Sequence, residues 1–109
     1  MMLITAIVVP SRVEAIRNAL ALFGVRGLTR SQVYTRSRPD APVEVYRGVR
    51  WRAPLAPRVR LEVLSPNEDA RDLVRVISRA AGSSDLDLWV TRVDLLVRIR
   101  TGEVGLNAL

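Results

Sequence analysis

Arg98 and Arg100 stand two residues apart in a β-prone run, a spacing that on a strand turns both side chains to one face. A guanidinium is a planar fork that pairs bidentately with carboxylate or phosphate, so two on one face form a site for an anion. The competing reading of the pair is a solvated sheet edge. A second group, Arg36, Arg38, Arg47, Arg50 and Arg52, lies in a proline-containing stretch with Trp51. Those arginines either keep a loop solvated or present a surface to a partner, with Trp51 as the kind of aromatic anchor that dominates interfaces. Asp85 and Asp87 read as carboxylates that cap or solvate a turn, with no second acid poised for proton transfer.

Composition narrows the chemistry further. All seventeen basic residues are arginine, and lysine, histidine and cysteine are absent. Disulfides and thiolate metal sites are thereby excluded, and the commonest general base and metal ligand are missing. No catalytic residue and no metal site is assigned. A net charge of +6 raises nucleic acid as a partner, but the arginines are dispersed and eleven carboxylates sit among them. No nucleic-acid partner is expected. The apolar run at residues 3–9 is too short to span a bilayer and has no basic segment before it, so a cytoplasmic protein without membrane insertion is expected.

The elements that must position these residues repeat. At 109 residues the chain fits a single domain, and 49% hydrophobic content suffices for a core. Residues 3–9 form a near-continuous β-prone run. Ser11 with Glu14 reads as a capping box, Val13, Ile16, Leu20 and Phe23 as one helical face, and Gly24 as the stop. A second strand is predicted at 28–34. Residues 58–64 alternate Arg58, Arg60 and Glu62 with Val59, Leu61 and Val63, the pattern of a half-buried strand. Ser65-Pro66-Asn67-Glu68 reads as another capping box, followed by an apolar face of Ala70, Leu73, Val74, Ile77 and Ala81, and Gly82 as the stop. Residues 86–93 and 95–99 are predicted strands, with Trp89 in the core. Two strand–helix–strand units imply an α+β split βαβ sandwich with helices on one face of the sheet. The uncovered face must meet water or another subunit. Residues 35–56 stand out as a long loop, which in a compact domain is usually functional.

Several blocks together resemble the PII family of signal-transduction proteins. They are Leu3-Ile4-Thr5-Ala6-Ile7-Val8 with Pro10, Gly24-Val25-Arg26-Gly27-Leu28-Thr29, Tyr46-Arg47-Gly48, Pro57-Arg58-Val59-Arg60-Leu61-Glu62-Val63 and Arg98-Ile99-Arg100-Thr101-Gly102-Glu103. The match runs from end to end. It implies one PII-like domain over residues 1–109, a ferredoxin-like (βαββαβ) fold, a homotrimer, and a protruding T-loop at 36–54. In that family adenine nucleotides bind in clefts between subunits and set the shape of the T-loop, which engages a target protein. The resemblance implies contacts to such an effector from Gly27, Leu28, Thr29, Arg38, Arg58, Leu64, Arg98 and Arg100. Thr29 falls where the family contacts adenine, although a β-prone residue would also explain a threonine there. Arg47, Arg50, Trp51 and Arg52 are the implied partner-binding residues.

Departures from the family pattern bear on which effector binds. The family's glycine-rich B-loop ends in a lysine that holds phosphates. The equivalent stretch here, residues 81–88, is shorter, contains no basic residue and carries Asp85 and Asp87. Like charge beside a polyphosphate is repulsive. The T-loop glutamine that helps hold magnesium and 2-oxoglutarate falls at Pro39, and the tyrosine that some members have uridylylated falls at Trp51. The resulting expectation is a non-enzymatic PII-like regulator in nitrogen regulation or a related pathway. It has no cofactor, and its effector is an adenine nucleotide, ADP or AMP in preference to MgATP. Its target, a transporter or metabolic enzyme, binds through the T-loop. The alternative is a PII-fold interaction module that no longer binds nucleotide.

Overall fold

The structure is a computed structural model that describes residues 1–36, 44–46, 49–51, 55–82 and 86–109, without the side chains of 44–46 and 49–51. Strand β1 (Met2–Val8) leads through a 3-10 turn (Pro10–Arg12) into α1 (Val13–Phe23), and β2 (Thr29–Arg36) follows. The second unit is β5 (Leu55–Ser65), a 3-10 turn (Asn67–Asp69), α2 (Ala70–Ala81) and β6 (Asp87–Arg92). Between the units lie β3 (Glu44–Tyr46) and β4 (Val49–Trp51), paired antiparallel, so the stretch expected as loop contains a short ladder. The four long strands form one antiparallel sheet in the order β2-β5-β1-β6, the interleaved topology of a ferredoxin-like fold.

Alternation along β1 and β5 builds the core. Ile4, Ala6 and Val8 pair with Val63, Leu61 and Val59, and all six are buried beneath Val13, Ile16 and Leu20 of α1 and Leu73, Ile77 and Ala81 of α2. Each large aliphatic side chain so buried contributes about 1.5–3 kcal/mol. Gly24 at φ 110° ends α1: its N–H reaches the Ala21 carbonyl at 3.1 Å, and the Val25 N–H reaches that of Leu20 at 3.0 Å. These two hydrogen bonds satisfy carbonyls that the helix end would leave orphaned.

Both predicted capping boxes fail to form. Each helix opens instead with a 3-10 turn whose backbone closes on itself, the Arg12 N–H to Val9 O at 3.1 Å and the Asp69 N–H to Pro66 O at 3.2 Å. The Ser65 hydroxyl, buried at the end of β5, donates to the Pro66 carbonyl, and Glu14 accepts from Arg17. Residues 95–99 are not a strand. Val97 makes a lone bridge with Val104, and the chain between them is a tight turn held by Arg98 N–H to Glu103 O and Gly102 N–H to Arg98 O. The apolar alternation there meets no partner strand among the described residues, and Leu95, Val97 and Ile99 stay exposed. Trp89 is not core either. It pairs with Thr5, opposite Glu62, on the sheet face the helices leave open, and is 44% exposed. Phe23, expected on the buried stripe of α1, is also exposed; it is the last residue of the helix, where the chain turns away at Gly24.

Candidate functional site

Where α1 ends and β2 begins, the chain passes β5, the start of α2 and residues 96–98. These segments enclose a cavity of about 860 Å³. Its wall includes Gly27, Leu28, Thr29, Leu64 and Arg98. The sequence motifs that furnish those five residues are far apart in the chain, and the sheet explains their meeting. Thr29 opposes Glu62 across β2 and β5, two residues from Leu64, and Leu64 in turn opposes Leu3 on β1. The positive φ of Gly24 turns the chain from helix into the wall. Gly27 is not there for steric reasons, since a Cβ at that position would meet nothing within 4 Å.

Arg98 reaches the cavity from the root of the tight turn. Its Nη2 donates to the Ala108 carbonyl at 2.6 Å, which fixes the guanidinium and leaves its other N–H groups for a ligand. Arg100 lies in the turn itself, exposed, and does not line this cavity. The two arginines therefore do not share a strand face. Arg58 lies elsewhere too. Its Nη1 donates to Pro57 O at 2.8 Å, and it lines a second, smaller cavity of about 430 Å³ beside Pro10, Arg30 and Gln32. Arg38, Arg47 and Arg52 fall outside the described residues, as do residues 83–85; Arg50 and Trp51 belong to β4, with side chains outside the described set.

Charge in the larger cavity is mixed. Arg26 and Arg98 face a space that Glu62 and Asp69 also line, and Glu62 holds Arg60 at 3.3 Å. Such a wall suits a ligand with an apolar or aromatic body and a modest negative charge better than a polyphosphate. Glu62, Phe23, Val25 and Asp69 also line the cavity, and the sequence alone assigns none of them to a site: Glu62 reads as strand alternation, Phe23 as part of a helical face, and Val25 as part of a family-like block. Glu62 was within reach, because Thr29 must pair with the middle of β5 if β2 is its neighbour. The remaining three depend on how the helix ends pack over the sheet. Among the described residues, no group of three or more acidic side chains gathers as a metal site.

The family model for nitrogen regulatory protein P-II matches residues 1–103. The chain belongs to the P-II family. It is 36% identical over 109 residues to nitrogen regulatory protein P-II 2 of Methanothermobacter thermautotrophicus, covering 97% of this chain and 95% of that protein. It is 32% identical to nitrogen regulatory protein P-II of Rhizobium meliloti, with 97% of each covered. With nitrogen regulatory protein GlnK of Escherichia coli K12 it shares 31% identity over the full length of both. As a P-II protein the chain is a signalling and regulatory protein, with the ferredoxin-like α+β fold described above. No helix among the described residues is long and apolar enough to cross a membrane.

Proposed function

We propose that this P-II protein is a homotrimeric regulator, a single domain over residues 1–109, that binds ADP or AMP in clefts between subunits. Effector binding biases the T-loop, residues 36–54, between forms that do and do not engage a target protein, a population shift driven by differential contacts. The observation that carries this reading is the cavity that gathers Gly27, Leu28, Thr29, Leu64 and Arg98. Leu28, Thr29 and Leu64 meet the base, and Arg98 meets a phosphate; Arg100 and Arg58 complete the anion contacts from a neighbouring subunit. Glu62 and Asp69 favour few phosphates over many. Trimer formation has support in the open sheet face, where Leu3, Ile7 and Trp89 lie without a helix above them, and in the exposed Leu95, Ile99 and Leu106. The role is regulatory rather than catalytic, uridylylation is lost with Trp51, and MgATP-dependent 2-oxoglutarate sensing is lost with Pro39.

The Arg98–Ala108 bond favours the rival reading, an interaction module deaf to nucleotides, because it occupies part of the guanidinium. A guanidinium has five N–H donors, however, and one such bond leaves the bidentate edge in play. Calorimetric titration with AMP, ADP and ATP, alongside light scattering for mass, tests the proposal. Binding of ADP or AMP to a trimer is expected; a heat-silent panel hands the case to the interaction module, and a monomer at micromolar concentration removes the cleft.

A further inference from the structure

Helix α2 (Ala70–Ala81) carries a row of positive charge on the side away from the sheet. Leu73, Ile77 and Ala81 are buried, whereas Arg71, Arg75 and Arg79 stand exposed at four-residue spacing. Residues four apart are neighbours on a helix surface, so the three form a line about 12 Å long. Among the described residues Arg71 and Arg79 have no ion-pair partner, and Arg75 meets Asp72 only at 3.8 Å, with both side chains mostly exposed. None of the three lines either cavity described above. The row also lies across the sheet from the open face that trimer formation would cover, because the helices pack on the other side.

Helix α1 (Val13–Phe23) adds an apolar neighbour. It packs antiparallel to α2: Arg12, just before α1, comes within 3.3 Å of where a Cβ on Gly82 would sit, and Phe23 shares a cavity wall with Asp69 and Leu73. The last turn of α1 therefore lies beside the first turn of α2. Leu22 sits in that turn, about 200° around the helix from buried Leu20, and is 90% exposed. A lone exposed leucine is ordinary on a protein surface. This one stands at the end of the arginine row, where a helix laid along the row would cover it.

Glu14, Glu68 and Asp72 are also exposed on the helix layer. They would repel a phosphate-bearing surface, nucleic acid or anionic lipid, spread across the whole layer. A single line of carboxylates avoids them. We infer that the outer face of α2, with Leu22, docks an amphipathic helix of a partner protein that carries acidic residues at i, i+4 and i+8. Two α-helices share one rise per residue, so carboxylates at that spacing meet Arg71, Arg75 and Arg79 one for one. An apolar side chain beside them covers Leu22. Each helix of this chain contains only one carboxylate, Glu14 in α1 and Asp72 in α2, so a second copy does not supply the acidic row.

Two blocked sixteen-residue alanine–leucine peptides serve as probes, one with glutamate and one with lysine at every fourth position. Fluorescence anisotropy reads their binding to the full chain, in competition with duplex DNA and with phosphatidylglycerol vesicles. The glutamate peptide is expected to bind at least tenfold more tightly than the lysine peptide, and neither phosphate probe should displace it. Arg71→Glu with Arg79→Glu, both at exposed positions, leaves the chain net positive and should invert the preference. Leu22→Ser should weaken the glutamate peptide by roughly three- to tenfold without changing its preference over the lysine peptide. Equal binding of the two peptides, or glutamate-peptide binding that survives the double substitution, overturns the inference. So does displacement by DNA or vesicles, which would make the row a phosphate-binding surface. A mass by light scattering that falls on the double substitution would put a second copy on the row and overturns it as well.

Discussion

Replacing Arg98 by alanine separates two roles that the structure gives one side chain. Its guanidinium spans from the tight turn to the Ala108 carbonyl at 2.6 Å and lines the larger cavity. A charge-assisted hydrogen bond is worth about 1.5–3 kcal/mol, so loss of the tether should lower stability by roughly the lower figure. For a domain of this size that is a fall in Tm of about 5–10 °C. Loss of the phosphate contact should independently weaken ADP by about ten- to a hundredfold. Arg100→Ala provides the contrast. Arg100 is exposed and makes no described bond within its own protomer, so its removal should cost at most about 0.5 kcal/mol of stability. It should still weaken ADP as much as Arg98→Ala does, because a neighbouring subunit brings it to the cleft. Calorimetry with ADP and thermal melts on the same preparations read both quantities. If Arg98→Ala melts early yet binds ADP like the parent, the guanidinium is a strut and not a ligand contact. If Arg100→Ala leaves affinity unchanged, the cleft does not span two subunits.

Gly27→Ala should leave the melting temperature within about 2 °C of the parent, since a Cβ there meets nothing within 4 Å, while ADP affinity falls if the base lies against that backbone; a large drop in stability measured by thermal melt would contradict the open space. Incubation with a uridylyltransferase and UTP should yield no adduct by mass spectrometry, because Trp51 offers no hydroxyl and Tyr46 is the only other candidate in the T-loop; a stoichiometric adduct would refute the alignment at Trp51. 2-Oxoglutarate in the presence of MgATP should give no calorimetric binding at micromolar concentration, because Pro39 cannot help hold a metal ion and the stretch after Gly82 has no basic residue.

The sandwich was legible because its signals were local and redundant. The period-two alternation of Val59, Leu61 and Val63 and the three-to-four spacing of Val13, Ile16 and Leu20 each name the same buried layer from different strands and helices. Helix starts were less legible: Ser11 and Ser65 have the right chemistry for caps, but proline beside each favours a self-closed 3-10 turn that needs no side chain. Residues 95–99 misled for a different reason. Apolar alternation reports which face a strand would bury, not whether a neighbouring strand exists to bury it, and among the described residues only Val97 of this segment finds a bridge. Trp89 lies on an edge strand with one face toward the helices and one open, and an apolar residue alone does not say which face it occupies. In the site, Thr29 and Leu64 were readable through the family pattern, and their proximity follows from register. The separation of Arg98 from Arg100 was not readable, since it depends on a turn where a strand was expected.

The central claim is that a nucleotide with few phosphates occupies the cavity walled by Thr29, Leu64 and Arg98. A crystal structure of the chain grown with ADP tests it most directly. The expected result is a threefold assembly with the adenine against Thr29 and Leu64, a phosphate within 3 Å or so of the Arg98 guanidinium, and the Arg100 side chain of an adjacent subunit closing the same cleft. ADP bound outside this cavity, or a trimer whose cavities stay empty at millimolar ADP, would contradict it.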